Sequence, residues 1–256
     1  MRILSLNVND FGGRDNLKKN KHRYGMKEAY SRWDRLPRRE NAEAVLAFLE
    51  KKDPDLIVLQ EFDWDLRCGS AHVAQFFLEK MAARYESVPS SLKDAKRPSL
   101  TLLFVRRGLS FQALPTPHKL YLRAGVLRLH SPELIFYGTH VPFDRKNMED
   151  MKFWDELIHF YKEHANEPVV LIGDFNAYQE GTPRKEKFRQ LLELGAVDAW
   201  LAMGKRDDTP TFQVSRIDYA LLSPALRPRL KDIDICPDLR DRNLTDHAAI
   251  VLDLNF

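Results

Sequence analysis

Apolar residues along this chain fall into two textures. Short apolar or alternating runs, Arg2 to Val8, Asp55 to Leu59, Leu100 to Arg106, Tyr121 to His130, Glu133 to Thr139, Val169 to Asn176, Ser215 to Ser223 and the closing AAIVLDL, predict strands. Between them, residues 38–53, 70–84, 152–164 and 184–194 bring apolar side chains round at helical spacing, as in Ala42, Val45, Leu46 and Leu49 or Phe153, Trp154, Leu157 and Phe160. Pro37 precedes the first helix and Asp53-Pro54 breaks it, so the following strand reads as the far end of a crossover unit. The strands between residues 100 and 139 are closely spaced with Gly, Pro or Ser between them, which predicts antiparallel pairing there.

What recurs is how the apolar runs end. VVLIGDFN, residues 169–176, is a buried-strand pattern that stops on Asp174 and Asn176, two residues apart and therefore on one side if the backbone stays extended. The same texture leaves Asn7 and Asn9 before the turn signal Phe11-Gly12-Gly13, Glu61 after DLIVLQ, His140 after the strand at 133–139, Asp218 inside SRIDYALLS, and Asp246-His247 before the last strand. Each has a structural reading: aspartate caps helices, asparagine makes turns, and a lone histidine usually serves as a hydrogen-bonding group. A carboxylate inside a strand, however, stays buried only when paired or when it serves a site. No low-complexity stretch and no repeat of fixed period is present.

Composition narrows the class. With 256 residues, 44% of them hydrophobic, the chain can bury a large core, and residues 1–256 are expected to form one domain. The opening MRILSLNV reads as a strand without a basic leader, and no apolar run reaches the ~18 residues of a membrane span. Cys68 and Cys236 lie far apart without CxxC spacing, against a disulfide scaffold or a structural zinc site. A cytoplasmic monomer is the expectation. The net charge of +3 is unevenly placed: Arg14 to Arg39 holds ten Lys/Arg against three Asp/Glu, interleaved with Tyr24, Tyr30 and Trp33, and leaves the rest of the chain net acidic. Such a run is either a solvated face or a loop that meets a polyanion.

Several carboxylates with amides and a histidine suit hydrolysis of a phosphate ester assisted by Mg²⁺, a hard cation that prefers oxygen ligands and keeps water. No GxSxG, HExxH or GxxxxGK[ST] suggests another chemistry. In order, LNVN, LQE, THV, GDFN, RIDY and TDH resemble the motifs of the endonuclease/exonuclease/phosphatase superfamily over nearly the whole chain.

That resemblance implies an α/β (α+β) fold, a four-layered α-β-β-α sandwich of two mixed sheets packed face to face with helices outside and the site at one end. It implies Glu61 as the principal metal ligand with Asn7 and Asp246 assisting, and Mg²⁺, replaceable by Mn²⁺, as cofactor. Asp174 would orient and deprotonate water, Asn176 would hold that water or a phosphate oxygen, His247 would contact the scissile phosphate, and Asp218 would fix His247. His140 matches a histidine of the deoxyribonuclease and sphingomyelinase branches. At Asn9 some relatives carry a metal-binding aspartate, so this chain is expected to hold its metal with fewer carboxylates. Asn9, Lys18, Lys19, Lys21 and Arg23 are the candidate substrate contacts. The expected activity is a Mg²⁺-dependent phosphodiesterase, foremost a nuclease acting on DNA or RNA. The alternative is a phosphatase or phosphodiesterase of a small-molecule or lipid phosphoester on the same scaffold, since fold alone does not choose a substrate.

Overall fold

The computed structural model describes residues 1–13, 37–63, 71–88, 99–116, 123–143, 149–177 and 180–256. Lys18, Lys19, Lys21 and Arg23 lie outside the described residues, as does Cys68. The elements follow in order as β1 Arg2–Asn7, α1 Arg39–Lys52, β2 Leu56–Asp63, α2 Ala71–Met81, β3 Tyr85–Val88, β4 Ser99–Arg106, β5 Phe111–Leu114, β6 Ala124–His130, β7 Glu133–His140, α3 Glu149–His164, β8 Val169–Asp174, α4 Pro183–Glu193, β9 Val197–Asp198, α5 Ala199–Ala202, β10 Asp218–Leu222, β11 Leu230–Cys236, α6 Asp238–Asp241 and β12 Ala249–Leu254. Among the described residues no helix is long and apolar enough to cross a membrane.

The strands form two six-stranded mixed sheets, ordered β11-β12-β1-β2-β4-β3 and β5-β6-β7-β8-β10-β9. Strand periodicity explains why they stack. Ile3, Val58, Leu103, Phe136, Val170, Ile172 and Leu252 pack in the layer between the sheets. Their chain neighbours turn the other way: Leu4, Ile57, Leu59 and Phe104 pack with Val45 and Leu49 of α1 and Phe77 of α2, while Ile135, Tyr137, Val169 and Leu171 pack with Trp154, Leu157 and Tyr161 of α3 and Phe188 of α4. A strand buried on both faces needs an unbroken apolar run, which is what β8 has, all six of its residues being buried. Each such side chain contributes roughly 1.5–3 kcal/mol on leaving water, so this layering dominates the stability. Gly125 and Gly138 face each other across β6 and β7. A Cβ on Gly138 would collide with Leu103 and Val58 of the facing sheet, so this glycine pair is the slot that lets the sheets approach.

The topology is duplicated. β1 and β2 are parallel, with α1 in the crossover, and β4 then β3 extend the sheet; β7 and β8 are parallel, with α3 in the crossover, and β10 then β9 extend theirs. Each half then sends a hairpin to the other sheet: β5-β6 joins β7, and β11-β12 joins β1.

Several boundaries differ from the sequence reading. Antiparallel pairing between residues 100 and 139 holds for β5-β6 and β6-β7, but β4 sits in the other sheet, between β2 and β3. The strand read over residues 215–223 begins only at Asp218, because the N–H groups of Ile217 and Asp218 donate to Thr211 Oγ1 and Arg216 turns into a buried ion pair with Asp198 at 2.7 Å. Residues 82–84 form a turn after α2 where the helix pattern had run on.

Candidate active site

The parallel pairs β1/β2 and β7/β8 end side by side at one end of the sandwich, and the antiparallel strands β10 and β12 begin there. Asp174, the last residue of β8, is paired in register with His140, the last of β7, and with Asp218, the first of β10. Gly173 before it has φ +146, and a Cβ there would collide with the Thr139 carbonyl oxygen, so only glycine lets β8 lie this close to β7.

Two departures from regular backbone aim the remaining groups. β2 carries a register shift against β4 between Leu59 and Phe62, and Glu61 within it has φ 49. Such a bulge bends the strand and redirects a side chain. Glu61 Oε1 thereby lies 3.9 Å from His140 Nε2 of the facing sheet, whereas the neighbouring Gln60 is buried and donates to Ser5 Oγ at 2.9 Å. After β1, Asn9, Asp10 and Phe11 all have positive φ, 45, 53 and 55. A left-handed turn admits asparagine and aspartate readily, but at Phe11 it costs about 1–2 kcal/mol. It is held by Asn41 Nδ2 and the Arg38 N–H, both donating to the Phe11 carbonyl, and by the Phe11 ring packed 5.6 Å from Phe62 and 5.1 Å from Phe77. Thr245 Oγ1 donates to the Asn7 carbonyl at 2.6 Å, tying the loop that carries Asp246 and His247 to the end of β1.

Asp174 is the centre of the cluster. Its Oδ2 lies 3.4 Å from Asn7 Nδ2, 3.7 Å from His140 Nε2 and 3.9 Å from His247 Nε2. His247 Nδ1 is 2.9 Å from Asp218 Oδ2, its Nε2 is 4.0 Å from Asp246 Oδ1, and the Phe212 ring stacks on it at 4.8 Å. Burial, and then the Asp218 charge, push the Asp174 carboxyl up to about 8. For His247 burial alone would lower the pKa, but the charge and hydrogen bond of Asp218, with Asp174 and Asp246, outweigh it and raise it to about 10. His247 is therefore an imidazolium donating to Asp218.

The site thus gathers Asn7, Glu61, His140, Asp174, Asp218, Asp246 and His247. Asn176 stands differently. It does not continue the strand: φ is 51, its N–H donates to Asp174 Oδ1 at 3.0 Å, and its Nδ2 donates to the Val141 carbonyl at 2.8 Å. Asp174 and Asn176 do not project from an extended strand together; a turn closed by the Asp174 side chain joins them. Asn9 donates its N–H to Asn7 Oδ1 at 3.0 Å, while both polar atoms of its own buried carboxamide have no hydrogen-bond partner among the described residues.

These residues fit a hard divalent cation. Glu61, Asp174, Asp218, Asp246 and the asparagine carboxamides are oxygen donors, and the pressure on Asp174 to take a proton reflects anionic charge crowded into a buried space. Asp174, Asp218 and His247 have donor atoms within 4.8 Å of one another. The Asp218–His247 hydrogen bond already occupies two of these three groups. The sequence reading missed Thr211 and Thr245, which brace Asp218 and His247, Phe212, which stacks on His247, and Arg123, whose Nη1 lies 2.7 Å from His140 Nδ1. Only Thr245 lay inside a quoted motif. Arg123 comes one residue before β6, where no apolar run had yet ended.

Residues 4–247 match the model of the endonuclease/exonuclease/phosphatase family. The chain belongs to this family. Its members are divalent-metal-dependent phosphoester hydrolases, among them nucleases and phosphatases. In fold the chain is similar to the 3′ phosphatase NExo from Neisseria bound to a product DNA hairpin, with TM-score 0.66, 18% identity and 100% of both chains covered. It is similar to an AP endonuclease from Archaeoglobus fulgidus, with TM-score 0.65, 16% identity and 100% of both chains covered. A third likeness is to humanized D. rerio TDP2, with TM-score 0.64 and 16% identity, covering 100% of this chain and 99% of that one. Among curated proteins none matches by sequence.

Proposed function

We propose that this family member is a Mg²⁺-dependent phosphodiesterase that cleaves phosphoester bonds of nucleic acid. The observation that carries the hydrolytic reading is Asp174, a buried carboxylate with Asn7, His140 and His247 within 4 Å of one oxygen. In this reading Asp174 orients a water molecule and takes its proton as the water attacks phosphorus, with Asn176 holding the turn that aims the carboxylate. The His247 imidazolium, fixed by Asp218, donates from Nε2 to a phosphoryl oxygen as charge accumulates there, and His140 donates from the opposite side. Glu61, Asn7 and Asp246 would hold the metal, which supplies Lewis-acid stabilisation of the phosphoryl and leaving oxygens.

The choice of nucleic acid rests on the basic segment. The described residues that flank it meet just beyond β1, since Gly13 directly follows the left-handed turn and the Arg38 N–H donates to the Phe11 carbonyl at 3.0 Å, four residues from Asn7. That a similar fold binds a DNA hairpin accords with this. The test replaces Lys18, Lys19, Lys21 and Arg23 by serine. Nucleic-acid affinity should drop and its log-log dependence on salt should flatten, by about 0.9 per lost contact on duplex DNA and about 0.7 on single strands. A small chromogenic phosphodiester should be cleaved as before. No loss on either substrate would overturn the nucleic-acid reading in favour of a small-molecule or lipid phosphoester, and activity in excess chelator would overturn the metal.

A further inference from the structure

We propose that Arg123 is a positioning residue whose guanidinium holds His140 in the tautomer that carries its proton on Nε2, so that this imidazole serves the site as a neutral hydrogen-bond donor. Arg123 Nη1 is 2.7 Å from His140 Nδ1. A guanidinium has only N–H donors and keeps its charge, so in this pair Nδ1 has to be the acceptor and carries no proton. The remaining ring proton then sits on Nε2, which points between Asp174 Oδ2 at 3.7 Å and Glu61 Oε1 at 3.9 Å. Both carboxylate oxygens lie beyond direct hydrogen-bond distance of Nε2. The pair is also fixed through the backbone, where the His140 N–H donates to the Arg123 carbonyl at 2.7 Å, and His140 is buried.

The opposite arrangement holds at His247, whose Nδ1 donates to the Asp218 carboxylate. The two imidazoles flanking Asp174 are thus anchored with inverted polarity, one on an acceptor and one on a donor. In the proposed hydrolysis, on which this step rests, His140 presents no lone pair at Nε2. It cannot take the proton of the attacking water, and Asp174 is left as the base. The tautomer itself does not depend on the substrate.

Long-range proton–nitrogen correlation spectra of ¹⁵N-histidine-labelled, metal-free protein near neutral pH read the tautomer directly. Wild type should show His140 protonated on Nε2. Arg123→Gln retains an N–H donor and should keep that pattern, Arg123→Met should give a mixture of tautomers, and Arg123→Glu, which offers an acceptor, should move the proton to Nδ1. On a chromogenic phosphodiester, Arg123→Glu should lower kcat more than KM, by on the order of 10²-fold, as for loss of one donor to a developing oxyanion. Arg123→Gln should retain most of the activity, and Arg123→Glu should add little in a His140→Ala background, because residues acting as a unit are not additive. A proton on Nδ1 in wild type, a tautomer unmoved by both Met and Glu substitution, or a full additive loss in the His140→Ala background would overturn the assignment. Wild-type spectra with the expected tautomer but no hydrolysis of any phosphoester would instead sink the proposed function alone.

Discussion

At one end of the sandwich Asp253 faces Arg2 at 2.8 Å, while Asp55 and Asp53 share Arg106 at 3.0 and 2.9 Å. At the other end, Asp174 and Asp218 crowd around imidazoles. The same three strands, β1, β2 and β12, run between these ends, and the contrast lies in how deeply the carboxylates are buried and in what meets them. Hydrogen bonds from Arg2 and from Arg106 hold Asp253 and Asp53 below the ordinary carboxylate value, whereas burial and Asp218 push Asp174 up to about 8. One end has its charges neutralised by the protein. The other leaves anionic charge in excess, together with a left-handed turn and a bulge, and that is where strain and perturbed ionisation mark function.

The largest expected effect is at Glu61, where Glu61→Gln should abolish turnover while circular dichroism and the thermal midpoint stay near wild type; a normally active variant would remove the metal from this end. Asp174→Asn and His247→Ala should each lower turnover by at least about 10²-fold. The comparison sharpens in stability. Asp174→Asn removes a carboxyl whose ionisation burial and Asp218 oppose, so above about pH 8 its thermal midpoint in chelator should equal or exceed that of wild type, and a clear drop would mean that the His247 imidazolium pairs with Asp174 strongly enough to offset both. His140→Ala should cost less turnover than His247→Ala, since a neutral donor is lost in place of a charged one; equal losses would erase that distinction.

Stability against pH should separate the two ends further. Asp174 binds its proton more tightly in the folded state, from an ordinary value of 3.8 to about 8, so its contribution is full below the ordinary value and is lost as pH rises through about 8. Metal-free wild type should therefore lose stability across that window relative to Asp174→Asn, as measured by thermal midpoints. Asp253, with its value lowered, acts in the opposite sense: its contribution is present above 3.8 and is lost as pH falls through the folded value. The smallest effect follows from this partly exposed pair. Asp253→Asn should cost about 0.2–1 kcal/mol, less in high salt, with turnover unchanged.

The polar strand ends were legible because a buried run that stops on Asp, Glu or His violates the ordinary partition of charge, and this brought Asn7, Glu61, His140, Asp174, Asp218, Asp246 and His247 into view. What aims them was not legible. The bulge at Glu61 depends on positive φ in a residue that rarely adopts it, and nothing in LQE specifies that locally, whereas the turn at Asn176 suits asparagine but competed with the reading of an extended GDFN. β3, β5, β9 and β11 escaped notice as edge strands, which pair on one side only and need little apolar patterning. The duplicated topology was invisible for a related reason: it resides in pairing order, and the equivalent strands end in different chemistry. Arg123 was missed because its significance lies in a cross-strand neighbour 17 residues away.

The exchanged hairpins set a condition on how this chain can be made. β1 and β12 are the strands furthest apart along the sequence, yet they are neighbours in the sheet, with Arg2 opposite Asp253. The β1-α1-β2 unit rests on contacts close in sequence, but its sheet stays open at β1 until β12 has paired there. Pairings between such distant segments are slow to form. Whatever folds before β12 is in place therefore carries an exposed sheet edge at β1, and its closure waits for that strand.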